Sequence, residues 1–249
     1  MRVRAVVILL ASLAALSGCA GDPASAGDGG TTPSPTPTPT PGAPSDPRGL
    51  LAARGAAAED RRYTATYTLT SAGRPARTIT VTVATDGSWR VDVPGGAMSG
   101  TVDIAIARTG NGLFQCALAP TPSCVRVAAP DGAVPAHADP RVEHLFTDWL
   151  GVLTDRAAAV SVARAVLPGA RGDCFSVEPN SASLVAPVDP GIYCYDTDGT
   201  LTAAKFRFGT ITLATVGAAP PSVTLPGPVV AAAPLPTKAP AGASSASRP

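Results

Sequence analysis

The chain has 249 residues with 19 basic and 18 acidic side chains, a net charge of +1 and a mean hydropathy of +0.20. A balance this even excludes the electrostatic footprint of a nucleic-acid binder and the strongly basic face of a protein that adheres to membranes by charge alone. Apart from the first residues, no stretch is long and apolar enough to span a bilayer, which takes about 20 apolar residues.

The chain opens with Arg2 and Arg4, a short apolar run from Ala5 to Leu16, and small residues leading to Cys19. That is the layout of a cleaved export signal over residues 1–18 rather than of a membrane span. Leu16-Ser17-Gly18-Cys19 resembles the bacterial lipobox, which implies a diacylated thiol and cleavage just before Cys19. The expected location is the outer face of the cytoplasmic membrane in a cell envelope, with the membrane itself as partner through the lipid on Cys19. An ordinary secretory signal with an incidental cysteine is the alternative. Acyl chains contribute about 0.8 kcal/mol per buried methylene, so several on one residue anchor a protein without a helix.

Residues 19–47 follow as a linker of Gly, Ser, Thr and Pro, with Thr-Pro alternation from Pro33 to Pro41. Such a segment buries too little apolar area to fold and is expected to be extended and disordered, reaching on the order of 80 Å from the membrane. Residues 48–230 are long enough for one domain with a substantial core, and residues 231–249 read as a disordered Ala/Pro tail.

Within the domain, Gly49 to Asp60 predicts a helix, and strict alternation then predicts strands. Tyr63-Thr64-Ala65-Thr66-Tyr67-Thr68-Leu69 and Thr78-Ile79-Thr80-Val81-Thr82-Val83 each place apolar side chains on one face and threonines on the other. Trp89-Arg90-Val91-Asp92-Val93 repeats the pattern after the Asp86-Gly87 turn, and Thr101 to Arg108 continues it. From Asp139 the period changes. Val142, Leu145, Phe146, Trp149, Leu150 and Leu153 recur at helical spacing, with Asp139 as N-cap and Pro140 at the first helical position. In Ala157 to Val166 the alanines favour helix while Val160-Ser161-Val162 alternates, and a strand is expected. Asp198-Gly199 predicts a hairpin turn between Tyr193 to Asp196 and Leu201 to Phe208, and Gly209 turns the chain into Ile211-Thr212-Leu213. The sum is a large antiparallel sheet with helices, an α+β domain.

Four cysteines remain once Cys19 carries lipid, and outside the cytoplasm four allow three disulfide connectivities. Cys116 and Cys124 flank a Pro-rich turn between β-like phrases, as Cys174 and Cys194 flank a Pro-rich loop, so the expected bridges are Cys116–Cys124 and Cys174–Cys194. A metal site is not expected, because the spacings match no zinc pattern and the histidines are His137 and His144. Glu143 beside His144 reads as the solvated edge of the predicted helix. Asp196-Thr197-Asp198-Gly199 has the start of a calcium loop without its later glutamate, and a hairpin turn is the better reading. Arg171-Gly172-Asp173 spells an adhesion tripeptide that chance often supplies. No nucleophile elbow, phosphate-binding Gly-rich loop or zinc helix is present, so neither catalytic residues nor cofactors are predicted, and an enzyme is not expected.

The order of these features resembles the LolA-like superfamily of envelope lipid and lipoprotein carriers, which includes the actinobacterial LppX and LprG lipoproteins and the RseB-type sensor domain. The features are the lipobox, the opening helix, long strands running to Trp89-Arg90-Val91-Asp92, the mid-chain helix, the Cys-containing hairpin and Lys205-Phe206-Arg207-Phe208. What the resemblance implies is a curved half-barrel sheet whose concave apolar face is covered by helices, leaving a cavity for acyl chains. Candidate lining residues are Tyr67, Val81, Trp89, Val91, Leu145, Phe146 and Trp149, which would serve equally well as a filled core. The implied function is to bind a lipid or an acylated ligand. The alternative is a non-catalytic interaction or envelope-sensing module that keeps the fold without a ligand. The two disulfides depart from the carriers' pattern.

Overall fold

The computed structural model describes residues 46–180 and 188–240. The signal peptide, Cys19, the linker up to residue 45 and the last nine residues of the tail lie outside the described residues.

Helix α1 spans Pro47–Asp60. Its start is dictated locally, since the Asp46 side chain accepts from the backbone N–H groups of Arg48 and Gly49, and Pro47 occupies the first turn, where its missing N–H costs nothing. Eleven strands follow: β1 Tyr63–Thr70, β2 Arg77–Val83, β3 Trp89–Ala97, β4 Val102–Thr109, β5 Gly112–Ala117 and β6 Ser123–Ala128, then β7 Val160–Ala165, β8 Asp173–Pro179, β9 Gly191–Tyr195, β10 Leu201–Phe206 and β11 Gly209–Gly217. Helix α2, Asp148–Thr154, lies between β6 and β7 in sequence. The strands form one antiparallel sheet in the order β6-β5-β4-β3-β2-β1-β11-β10-β9-β8-β7. Two meanders are therefore sewn together where β1 pairs with β11, and the sheet stays open because its edge strands, β6 and β7, are not paired with each other.

Register puts the alternating apolar residues in rows across the sheet. Tyr67 opposes Ile79, Ala65 opposes Val81, Val81 opposes Val91, and Val91 opposes Ile106. Each of these side chains is buried in one core, which also takes in Leu51 of α1 and Leu145, Phe146, Trp149 and Leu153. Threonines fill the opposite face, where Thr66 and Thr215 hydrogen-bond through their hydroxyls at 2.7 Å. That face also carries the disulfides, Cys116–Cys124 between β5 and β6 and Cys174–Cys194 between β8 and β9, each joining directly opposed residues.

The predicted helix from Asp139 is interrupted twice. Arg141 has φ +65°, a left-handed conformation, because the Asp139 carboxylate accepts the Arg141 N–H at 2.7 Å and thus closes a turn in place of a helical cap. A 3-10 turn then runs Glu143–Phe146, and Thr147, at φ −136° and ψ −107°, breaks the chain before α2. The apolar spacing survives although the continuous helix does not, since all six periodic residues from Val142 to Leu153 are buried.

The Ala/Pro segment expected to be disordered from Ala231 is held against the domain as far as Ala239, whose N–H donates to the Ser99 hydroxyl at 3.0 Å. The Leu235 N–H donates to Gln115 at 2.7 Å, and the Gln115 amide nitrogen donates in turn to the carbonyls of Leu235 and Ala138 at 2.9 and 3.1 Å. Met98 and Ser99 donate backbone bonds to Pro236 and Thr237. Just before this segment, the Cys124 N–H donates to the Pro228 carbonyl and the Val230 N–H to the Cys124 carbonyl, each at 2.8 Å, and these bonds cover the free edge of β6. Composition misleads here because proline removes donors but leaves carbonyls, and those carbonyls are what the sheet edge uses.

Candidate functional site

The segment Asp139–Asp148, whose Val142, Leu145 and Phe146 pack into one core with the apolar residues of the strands, brings the polar groups of interest together. His144 lies between two carboxylates, with Nε2 3.0 Å from Asp139 and Nδ1 3.2 Å from Asp148. Burial opposes a charged imidazole, but the hydrogen bonds to Asp139 and Asp148 and the charges of Glu143 and Asp139 outweigh it, raising His144 to about 10. Asp139 and Asp148 are correspondingly held below the usual carboxylate range. Glu143 is 1% exposed, and neither carboxylate oxygen has a hydrogen-bond partner among the described residues. Burial, followed by the charge of Asp139, pushes it up to about 8. The solvated helix edge predicted for Glu143 and His144 is thus incorrect. Because the helix does not begin at Asp139, the Glu143 side chain faces inward.

Beside this segment lies an open groove of about 560 Å³. The apolar side chains of Leu69, Val93 and Val142 line it together with Arg74, Arg77, Arg141 and Arg207, and Phe208 stands at its rim. The groove forms where the β1–β2 turn, the end of β3 and the β10–β11 turn approach Pro140 and Arg141. Three of the arginines are already bonded: Arg74 to the Ser99 carbonyl, Arg77 to the Pro94 carbonyl at 2.8 Å, and Arg141 to both oxygens of Asp189 at 2.6 and 3.2 Å. Arg207 makes no ion pair among the described residues. Phe208, 39% exposed, stacks on the buried Phe206 with ring centroids 5.2 Å apart. A neighbouring hollow of about 460 Å³ shares Arg141, Arg207 and Phe208 with the groove and extends it over Phe206 and Pro190.

The candidate lining residues occupy the core. Tyr67, Val81, Trp89, Val91, Leu145, Phe146 and Trp149 are all buried and belong to one packed cluster. Phe146 meets the Tyr67 ring at 5.1 Å, and Trp149 meets Tyr193 and Phe206 at 6.5 and 6.1 Å. Phe146 and Trp89 also reach a second groove, of about 300 Å³, beside Arg62, Arg108 and Asp148. The arginine-lined groove escaped the sequence reading because its residues come from four separate turns. The one local signal was the alternation Phe206-Arg207-Phe208, which sends aromatic and cationic side chains to adjacent positions.

Other sequence features resolve structurally. Asp196 to Gly199 forms the expected hairpin turn, closed by the Gly199 N–H on the Asp196 carbonyl at 3.1 Å. Gly199, at φ +82°, sits so close to α1 that a Cβ there would lie 2.3 Å from the Ala58 nitrogen. In the Arg171-Gly172-Asp173 tripeptide, Asp173 is engaged by Arg54 at 2.8 Å. Among the described residues, no helix is long and apolar enough to cross a membrane. No protein-family model matches the chain, and none of the curated proteins compared with it matches either.

Proposed function

We propose that the protein is a non-catalytic binding protein of the cell envelope, anchored through a lipid on Cys19, and that it takes an anionic, acyl-bearing amphiphile at the groove beside Arg141. In this reading the sheet is the curved half-barrel of the LolA-like carriers, with the segment Asp139–Thr154 and α1 lying over its concave face. The observation that carries it is the groove's composition. An apolar floor of Leu69, Val93 and Val142 with an exposed Phe208 suits acyl chain, and the arginine rim suits a phosphate or carboxylate head group. Arg207 contributes a guanidinium that makes no ion pair among the described residues, and anion binding uses such a group best.

The occupant enters the groove rather than the interior, because the interior face is already filled by Tyr67, Phe146 and Trp149. The same filled core supports the second reading, an interaction or sensing module that has kept the fold without a ligand. Titrating the purified full-length protein with a fluorescent fatty acid and with vesicles of anionic or zwitterionic phospholipid separates the two. Saturable binding of the fatty acid and the anionic lipid, weakened about tenfold or more by Arg207→Glu without a change in melting temperature, is the expected result. If none of the probes binds saturably, the amphiphile reading fails and the interaction module becomes the better account. Replacing Cys19 by Ala should separately abolish acyl labelling and membrane retention, and unchanged labelling would refute the anchor.

A further inference from the structure

The amphiphile reading leaves unexplained why a glutamate is buried without a partner next to a histidine already held by two aspartates. Desolvating an isolated carboxylate is costly, and folded proteins tolerate it where a cation or a proton compensates. Arg141 does not provide that compensation, since its guanidinium is bonded to Asp189 through two nitrogens. The ligating atoms of Asp139, Glu143 and His144 instead all lie within 4.8 Å of one another. His144 is oriented as metal-binding histidines are. A carboxylate, Asp148, holds its Nδ1, which fixes the ring and directs Nε2 toward the other two acids.

We infer that Asp139, Glu143 and His144 form a binding site for a divalent transition-metal cation of the zinc class, with Asp148 positioning His144. The donor set selects the class. An imidazole nitrogen disfavours calcium and magnesium, which take oxygen, whereas zinc accepts mixed nitrogen and carboxylate ligands. Charge agrees as well, because two carboxylates and a neutral imidazole leave a dipositive ion with no net charge, the condition a buried site requires. The cation takes the place of the proton between His144 Nε2 and Asp139 and of the proton on the buried Glu143 carboxyl, so His144 keeps a single N–H, donated from Nδ1 to Asp148, and both displaced protons pass to solvent. Asp139 also lines the arginine groove, which gives the cluster a route to solvent. Three ligands within six residues, across a backbone that turns at Arg141, would fix this segment. The inference is independent of the amphiphile reading and stands or falls on metal binding alone.

The test uses the full chain freed of metal with a chelator. ZnCl2 is titrated by calorimetry in buffers of different ionisation enthalpy, and CoCl2 is followed by its visible absorption. One equivalent of either ion is expected to bind, with proton release and a Co2+ spectrum showing nitrogen ligation. Glu143→Gln, nearly isosteric, should weaken binding tenfold or more, and Asp148→Asn should weaken it about 10- to 100-fold through His144. His137→Ala should leave it unchanged. Circular dichroism of each variant reports that the fold is retained, and Asp148→Asn, whose side chain is largely exposed, serves where Glu143→Gln does not fold. Absence of Zn2+ and Co2+ binding at millimolar concentration would overturn the inference and leave a shared proton as the compensating cation. Binding that survives both Glu143→Gln and Asp148→Asn, or that is lost with His137→Ala, would overturn it equally.

Discussion

Truncating Phe146 to Ala tests whether the segment Glu143–Thr154 is a packed part of the core or the wall of an acyl cavity. The ring is 6% exposed, packs at 5.1 Å against Tyr67, and belongs to the cluster that spans the sheet and both helices. In a filled core the truncation removes the transfer free energy of the ring and leaves a cavity, a loss of about 3 to 5 kcal/mol. For a domain of this size each kcal/mol lowers the melting temperature by about 2 to 4 °C, so a fall of roughly 6 to 20 °C is expected. Urea unfolding followed by circular dichroism, with both disulfides kept oxidised, measures the loss, and the slope with denaturant should stay near that of the native protein. A loss below about 1.5 kcal/mol would refute the packing argument, because it would mean that the ring faces space it does not fill.

Three further outcomes follow from the same geometry. Gln115→Ala removes two part-buried hydrogen bonds that clasp the strap at Leu235 and a buried one to the Ala138 carbonyl, so it should destabilise by about 2 to 3 kcal/mol and speed amide exchange at Leu235, and an unchanged exchange rate there would contradict the clasp. Peptide mapping of unreduced protein should recover Cys116 linked to Cys124 and Cys174 linked to Cys194. Loop closure makes their removal cost about 2.5 and about 3.3 kcal/mol for sequence separations of 8 and 20. In the metal-free protein, Glu143 and His144 both titrate above their unfolded values of 4.5 and 6.5, at about 8 and about 10. The stability they contribute is therefore complete below pH 4.5 and 6.5 respectively and is lost as pH rises through 8 and 10, on the order of a few kcal/mol between pH 5 and 10. Unfolding midpoints in chelator at pH 5, 7 and 9 check this. Glu143→Gln should flatten the part below pH 8, and stability that rises with pH would refute the assignment.

The sequence alone determines the strands, the hairpin turns and the disulfide partners, because each is a local matter. A two-residue period sets which of Tyr63, Ala65, Tyr67 and Leu69 face inward, and Asp198-Gly199 sets a turn, whatever the rest of the chain does. Cysteines close in sequence and set in adjacent strands can hardly avoid each other. Tertiary structure alone decides three things. The pairing of β1 with β11 joins Tyr67 to Leu213, and no local pattern encodes a partner that distant. The strap is the second, since Leu235 is ordered by a glutamine on β5 and has no order of its own. The third is the segment from Asp139 to Asp148. Its apolar spacing was legible as helix, but the side chain of Asp139 bonds the backbone of Arg141 and the ring of His144, and these bonds hold the chain out of the helix. That departure turns Glu143 inward and creates the buried acid cluster, so the most distinctive chemistry of the protein arises where local helix preference yields to side-chain hydrogen bonding.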